Sequence, residues 1–111
     1  MSRNALITGG SGFLGTHLAR RLLRGGCKVR ILDLHDVEEL DLKNSVEFLR
    51  GDIRDKAVVD RAVSGMQWVF HNAAALPISR SGAEFYDVNV RGTRTVLDAC
   101  LRLNIEKVVQ I

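Results

Sequence analysis

Residues 8–15 read Thr-Gly-Gly-Ser-Gly-Phe-Leu-Gly and directly follow the apolar run Ala5-Leu6-Ile7. Four glycines in eight positions allow the chain to leave a strand, turn sharply and bring backbone N–H groups against an anion with no Cβ between them. Gly10, Gly12 and Gly15 match the G-x-G-x-x-G spacing of dinucleotide-binding turns. The segment therefore predicts a phosphate-binding turn between a strand and a helix, with a purely structural tight turn as the alternative.

Asp33 strengthens this interpretation, because it ends an apolar run and lies 18 residues beyond Gly15. A carboxylate at about that distance accepts a hydrogen bond from the ribose 2′-OH and repels a 2′-phosphate, so NAD is favoured over NADP. An aspartate after a strand can also simply begin a turn. Arg30 is not assigned a phosphate, because strand alternation places it on the face of Leu32 and away from Asp33.

Two other nucleotide-binding classes share part of this pattern. Gly10 and Gly15 fit half of a P-loop, but Thr16-His17 stands where Lys and Ser/Thr would be needed, so nucleotide hydrolysis is not expected. Methyltransferases also combine a glycine-rich first turn with an acidic residue after the second strand. The three-residue interval from Gly12 to Gly15 favours pyrophosphate binding instead.

Composition argues against several further classes of protein. The chain has 111 residues, 46% of them hydrophobic, which suits one domain, residues 1–111, with its own core. Its net charge of +3 is spread along the chain without a basic run, so no nucleic-acid interface is expected. Cys27, Cys100 and the histidines lack metal-ligand spacing, which predicts a reduced chain without a metal. The amino terminus has no signal peptide or membrane span, so a cytoplasmic location is expected.

Short β-rich runs alternate with longer segments of helical period, a pattern that predicts βαβ crossovers and a parallel sheet covered on both faces. The expected strands are residues 4–8, 28–33, 46–50, 68–71 and 107–111. The expected helices run from about residue 14 to the Gly25-Gly26 pair, from Asp55 as cap to about residue 64, and from about 83 to 103. These elements fit an α/β fold, a Rossmann-type doubly wound sheet of order 3-2-1-4-5 that ends after strand five, with its ligand crevice at the carboxyl ends of the strands.

Apolar residues at helical spacing predict which helix faces are buried. The first helix is expected to bury Leu14, Leu18, Ala19, Leu22 and Leu23; the second Val58, Val59, Ala62 and Val63; the long one Phe85, Val88, Gly92, Val96, Ala99 and Leu103. On the charged side of the long helix, Asp87 is expected to pair with Arg91 and Asp98 with Arg102.

Two more strand ends supply candidate contacts. Asp52 can accept from an adenine amino group while the Ile53 backbone answers a ring nitrogen, although Asp52 could also merely cap a turn. In the His71-Asn72-Ala73-Ala74 turn, the small alanines let the backbone lie against ribose and phosphates, with ordinary close packing as the alternative. His71 itself is expected to be a hydrogen-bonded core histidine rather than a catalyst.

Taken together, these residues resemble the extended short-chain dehydrogenases/reductases, and among them the NAD-dependent epimerase/dehydratase group. The matching motifs are Thr8-Gly9-x-x-Gly12-x-x-Gly15, Asp33, Gly51-Asp52-Ile53, His71-x-Ala73-Ala74 and Asn89-Val90-x-Gly92-Thr93. The resemblance implies that the backbone of Phe13 and Leu14 meets the pyrophosphate and that Asn89 approaches the nicotinamide end. The expected cofactor-binding residues are Gly9, Gly12, Phe13, Leu14, Gly15, Asp33, Asp52, Ile53, Asn72, Ala73, Ala74 and Asn89.

The resemblance also implies a Ser/Thr after strand five and a Tyr-x-x-x-Lys pair, and the sequence has neither. Its single tyrosine, Tyr86, is followed four residues later by Val90. We therefore expect the amino-terminal NAD-binding portion of an enzyme acting on a nucleotide sugar or similar alcohol or ketone, inactive alone. The alternative is a non-catalytic dinucleotide-binding sensor. An unpaired sheet edge predicts self-association or a homodimer.

Overall fold

The computed structural model describes residues 3–72 and 87–111. The strands are β1 (Asn4–Thr8), β2 (Lys28–Asp33), β3 (Glu47–Arg50), β4 (Trp68–His71) and β5 (Lys107–Gln110). The helices are α1 (Phe13–Arg24), α2 (Leu40–Lys43), α3 (Lys56–Val63) and α4 (Thr93–Arg102), and a π-helical turn (Asp87–Gly92) leads into α4. Phe85 and the other predicted long-helix positions before residue 87 lie outside the described residues.

The five strands form one parallel sheet in the order β3-β2-β1-β4-β5, which confirms the predicted topology. Thr8, at the end of β1, lies opposite Leu32 on one side and His71 on the other. Asp33, at the end of β2, lies opposite Arg50. The carboxyl ends of β1 to β4 are therefore level, and the turns that follow them share one edge of the sheet.

The sheet is covered on both faces. Successive side chains of a strand point to opposite faces, and in these strands apolar side chains point both ways. Leu6 and Leu32 belong to a core under α3 and α4. Ile7 and Ile31 belong to a second core under α1 and α2. Val58, Val59, Ala62 and Val63 of α3 are all buried, as the helical pattern predicts.

The apolar face of α1 is only partly as predicted. Ala19 is buried, and Leu18 and Leu22 pack against the second core. Leu14 remains 49% exposed, so its predicted burial is wrong. It lies in the first turn of the helix, directly after the glycine turn.

Two expectations for α4 also need correction. Val96 and Ala99 are fully buried, and Cys100 joins them, but Leu103 is 41% exposed because the helix ends at Arg102. Arg102 donates to Asp60 of α3 at 2.6 Å, whereas Asp98 contributes only a longer-range attraction to this guanidinium. The prediction that Asp98 pairs with Arg102 considered α4 alone, whereas the neighbouring helix α3 offers Arg102 the carboxylate of Asp60. The predicted pair of Asp87 with Arg91 lies outside the described side chains.

Helix α3 is capped at both ends. Asp55 accepts hydrogen bonds from the N–H groups of Ala57 and Val58, which confirms it as the N-terminal cap. At the other end, the Arg30 guanidinium donates to the carbonyl groups of Arg61, Ala62 and Ser64. A cation is favourable there because the helix dipole is negative at its C-terminus. Arg30 thus lies on the α3 face of the sheet, as alternation predicts.

Arg30→Met is expected to lower the free energy of unfolding by about 1.5–3 kcal/mol, because the hydrogen bonds that Nη1 shares among the α3 carbonyl groups and the ion pair of Nε with Glu47 are lost, while the apolar stem is kept. The side chain is only 16% exposed, so water replaces these bonds poorly. Urea denaturation measures the change. The matched control is Arg24→Met, at an exposed site in the last turn of α1. Equal unfolding midpoints for the two variants would contradict the capping role.

Candidate functional site

Three of the four glycines in the turn after β1 are required by the fold itself. Gly9 has a φ of +67°, in the left-handed region. A Cβ on Gly10 would lie 2.7 Å from Cγ2 of Ile31 in β2. A Cβ on Gly15 would lie 2.5 Å from both the Cα of Gly10 and the carbonyl oxygen of Gly9. These glycines let α1 pack tightly on the turn and the turn pack on the sheet.

Gly12 is different, because nothing inside the described part of the chain requires a glycine there. Its backbone is extended, and the nearest atom to an added Cβ would be the Gly9 carbonyl oxygen at 3.9 Å. Gly12 is also the N-cap of α1, and among residues 3–72 and 87–111 no side chain caps this helix end. The bare N–H groups of the first turn, at Phe13 and Leu14, carry the positive end of the dipole. An open, side-chain-free helix N-terminus fits an approaching pyrophosphate.

Asp33 reaches this turn through its side chain. Its Oδ2 accepts from the Ser11 N–H at 3.1 Å and from the Ser11 hydroxyl at 2.6 Å. Its Oδ1 accepts from the His35 N–H at 3.2 Å. The structure thus brings together the glycine turn and the predicted ribose carboxylate. Sequence reasoning missed Ser11, whose only signal was a hydroxyl between Gly10 and Gly12.

The end of β4 is tied to the same turn. The Asn72 N–H donates to the carbonyl and hydroxyl oxygens of Thr8, and its Nδ2 donates to the Gly9 carbonyl at 3.3 Å. Asn72 therefore lies beside the glycine turn, and its predicted contact with the coenzyme stays a prediction. The predicted contacts of Ala73 and Ala74 lie outside the described residues.

His71 is the hydrogen-bonded core histidine that the sequence predicts. Its Nδ1 lies 2.7 Å from the Thr8 hydroxyl, and its Nε2 lies 2.9 Å from the Thr93 hydroxyl. The ring thereby links the end of β1 to the start of α4. Burial lowers the pKa of His71 below its ordinary value of 6.5, because the charged form loses its hydration.

This burial predicts a pH dependence of stability. Well above pH 6.5, the ring is neutral in both the folded and the unfolded chain, so the His71 ring does not lower the free energy of unfolding. As pH falls below that value, the unfolded chain binds a proton first and stability drops, until the lower folded-state pKa is passed. The loss is at most about 1.4 kcal/mol per pH unit.

Urea unfolding between about pH 7.5 and pH 5.5 measures this slope. His71→Asn is expected to remove it, whereas His35→Asn, at an exposed position, is expected to keep it. NMR titration of the His71 ring in the unaltered chain gives the same information without a substitution. A folded-state pKa at or above 6.5 would refute the burial argument.

In the turn after β3, the Asp52 carboxylate that was predicted to accept from adenine already has a partner within the chain. The Asp52 carboxylate pairs with the Arg54 guanidinium, with Nη2 to Oδ2 at 2.6 Å and Nε to Oδ1 at 3.0 Å. Ile53 is buried, and a Cβ on Gly92 would overlap its Cδ1 and Cγ1, so Gly92 serves close packing. The adenine contacts of Asp52 and of the Ile53 backbone stay predictions, as does the nicotinamide role of Asn89 in the π-helical turn.

Three further features bear on the kind of site. Across residues 3–72 and 87–111, no group of three or more His, Cys, Asp or Glu side chains is placed to hold a metal ion. A cavity of about 350 Å³ lies at the opposite edge of the sheet, lined among others by Asn4, Lys28 and Glu47. Those residues begin β1, β2 and β3, so this cavity is separate from the glycine turn. In the same part of the chain, no helix has the length and apolar character needed to cross a membrane.

A parallel sheet of this order, with a glycine turn after β1 and a carboxylate held against it from β2, defines a Rossmann domain of the dinucleotide-binding class. The profile of the 3-beta hydroxysteroid dehydrogenase/isomerase family matches residues 6–111. The chain belongs to this family. The resemblance to short-chain dehydrogenases/reductases of the epimerase/dehydratase group is thereby confirmed.

Individual relatives support this family assignment. The chain is 33% identical to the mouse sterol-4-alpha-carboxylate 3-dehydrogenase, decarboxylating, over 97% of its own length and 29% of that protein. It is 41% identical to sterol demethylase protein B of Methylococcus capsulatus, over 94% of its own length and 32% of that protein. A UDP-glucose 4-epimerase of Thermus thermophilus, solved with NAD, superposes with a TM-score of 0.81 at 33% identity, covering 95% of this chain and 36% of the epimerase. The chain thus spans about a third of the length of these relatives.

Proposed function

We propose that this chain binds NAD in preference to NADP, as the coenzyme-binding portion of an oxidoreductase of its family. The observation that carries the proposal is the open N-terminus of α1 at Gly12, with the Asp33 carboxylate hydrogen-bonded to the same turn. The first feature suits a pyrophosphate and the second a ribose hydroxyl. The epimerase solved with NAD supports the choice of ligand.

NAD supplies the hydride acceptor or donor that the side chains of a protein lack. In this chain, the N–H groups of Phe13 and Leu14 hold the pyrophosphate with the aid of the helix dipole. Asp33 accepts from the ribose hydroxyl, and its negative charge opposes a 2′-phosphate. The role of these residues is therefore binding and orientation of the coenzyme.

The substrate class we propose is a secondary alcohol or the matching ketone, on a nucleotide sugar or a comparable carrier. The named relatives act on sterols and on a nucleotide sugar, and both kinds of molecule offer such a carbon. The sequence contains no Tyr-x-x-x-Lys pair. We therefore propose that the 111-residue chain binds coenzyme without turning over substrate.

Isothermal titration of the 111-residue chain with NAD, and separately with NADP, tests the proposal. We expect NAD to bind and NADP to bind at least about tenfold more weakly, since a carboxylate facing a phosphate loses more than about 1.4 kcal/mol. Equal affinities would remove the assigned role of Asp33. If neither NAD nor NADP binds, the proposal as a whole is refuted.

The self-association expected from the sequence is also retained as a proposal. Leu97 and Leu101 lie four residues apart on α4 and are exposed, Leu101 at 78%. Val108 and Ile111, at the β5 edge, are exposed as well. Such apolar surface favours association of two copies of the chain. Sedimentation equilibrium is expected to show a dimer that Leu101→Glu weakens, and a monomer at all concentrations would rule it out.

A further inference from the structure

Ser11 occupies a position that the glycine motif leaves unspecified, yet its side chain makes a close contact. Its hydroxyl donates to Oδ2 of Asp33 at 2.6 Å, and its backbone N–H donates to the same oxygen at 3.1 Å. Both residues are half-buried. A backbone N–H would be present with any residue except proline, whereas the hydroxyl depends on the choice of serine.

The hydrogen bonds of Asp33 leave it a defined capacity for a ligand. A carboxylate offers about four lone-pair positions, two on each oxygen. Ser11 takes two on Oδ2, and the His35 N–H takes one on Oδ1 at 3.2 Å. One position on Oδ1 therefore remains for a ribose hydroxyl. The two hydrogen bonds from Ser11 to Oδ2 fix the orientation of the carboxylate, and they thereby fix where the free lone pair of Oδ1 points.

The charge of Asp33 is not neutralised by these partners. Ser11 and His35 contribute only neutral donors. Within the described ranges, no Lys or Arg side chain forms an ion pair with Asp33. Arg50, its neighbour across the sheet, donates to the Leu34 carbonyl at 2.6 Å. A 2′-phosphate would thus meet a full negative charge.

We propose that the Ser11 hydroxyl is a positioning group that fixes Asp33 so that the carboxylate accepts from NAD and excludes NADP; this rests on the proposed function. With the hydroxyl present, Asp33 cannot turn away from a 2′-phosphate without breaking a charge-assisted bond. Without it, the carboxylate is held by the weaker backbone bond alone. Discrimination between the two nucleotides then falls, because the side chain can rotate out of the path of the phosphate.

Titration of three variants of the 111-residue chain with NAD and NADP tests this role. For Ser11→Ala, we expect NAD affinity to fall about fivefold to tenfold, because NAD must then order a carboxylate that Ser11 no longer holds in place, while NADP affinity stays the same or rises. Ser11→Thr keeps a hydroxyl and is expected to restore the preference. Ser45→Ala is the matched control, since the hydroxyl of this exposed serine donates to the Asp41 carbonyl, away from the glycine turn, and the variant is expected to behave as the unaltered chain.

The ratio of the two affinities separates the possible results. A fall in the NAD to NADP ratio for Ser11→Ala, with rescue by threonine, supports the positioning role. An equal fall in both affinities means that Ser11 contacts the coenzyme directly or only stabilises the turn, and it overturns the inference. Unchanged affinities overturn it as well while the proposed function stands. If the unaltered chain binds neither nucleotide, the proposed function fails, and this inference fails with it.

Discussion

Gly15→Ala is expected to lower the free energy of unfolding by about 3 kcal/mol, the upper range for overpacking a tight contact. The added Cβ would lie 2.5 Å from the Gly10 Cα and from the Gly9 carbonyl oxygen. Both are backbone atoms of the turn, which cannot move aside as a side chain can. Either α1 shifts away from the sheet or the turn deforms. Urea denaturation measures the loss.

Gly12→Ala is the matched control three residues earlier in the same turn. Its Cβ would have 3.9 Å of clearance, so the expected destabilisation is less than about 1 kcal/mol, the cost of a poorer helix cap. NAD affinity is nevertheless expected to drop, because the methyl group stands where the pyrophosphate approaches. If Gly12→Ala destabilised the chain as much as Gly15→Ala, the open face would be structural and the phosphate site would lose its main support.

Asp33→Asn is expected to weaken NAD binding about 10- to 100-fold, which corresponds to about 1.5–3 kcal/mol for hydrogen bonds to a charged group. Asparagine keeps the size of the side chain but removes the charge, so NADP affinity is expected to fall much less. Calorimetric titration with both nucleotides measures the two effects. Glu38→Gln is the control, because it removes an exposed carboxylate from the same loop. Equal losses for NAD and NADP would show that the charge of Asp33 does not select the coenzyme.

The first four strands could be predicted closely because each is a short run with apolar residues that ends at a glycine, an acidic residue or a histidine turn. β1, β2 and β4 have the predicted bounds, and β3 and β5 are each one residue shorter. Topology followed from the alternation of strands and helices, since parallel neighbours need crossovers. α2 was missed because a helix of four residues is too short to show a helical period.

The side-chain contacts of the site could not be predicted in the same way, because they join residues far apart in sequence. Ser11 meets Asp33 across 22 positions, and Arg30 meets the end of α3 across more than 30. His71 meets Thr8 and Thr93 only because the strand register and the start of α4 bring three turns together. The exposure of Leu103 depends on where α4 ends, which apolar spacing alone does not specify.

Amide proton–nitrogen NMR spectra recorded during titration with NAD test the central claim most directly. We expect the largest shifts in the glycine turn, at Gly9, Gly12 and Phe13, and at Asp33, with none at Lys28 beside the cavity on the opposite edge of the sheet. Shifts confined to that opposite edge, or no shifts at all, would contradict the account of this chain as an NAD-binding domain.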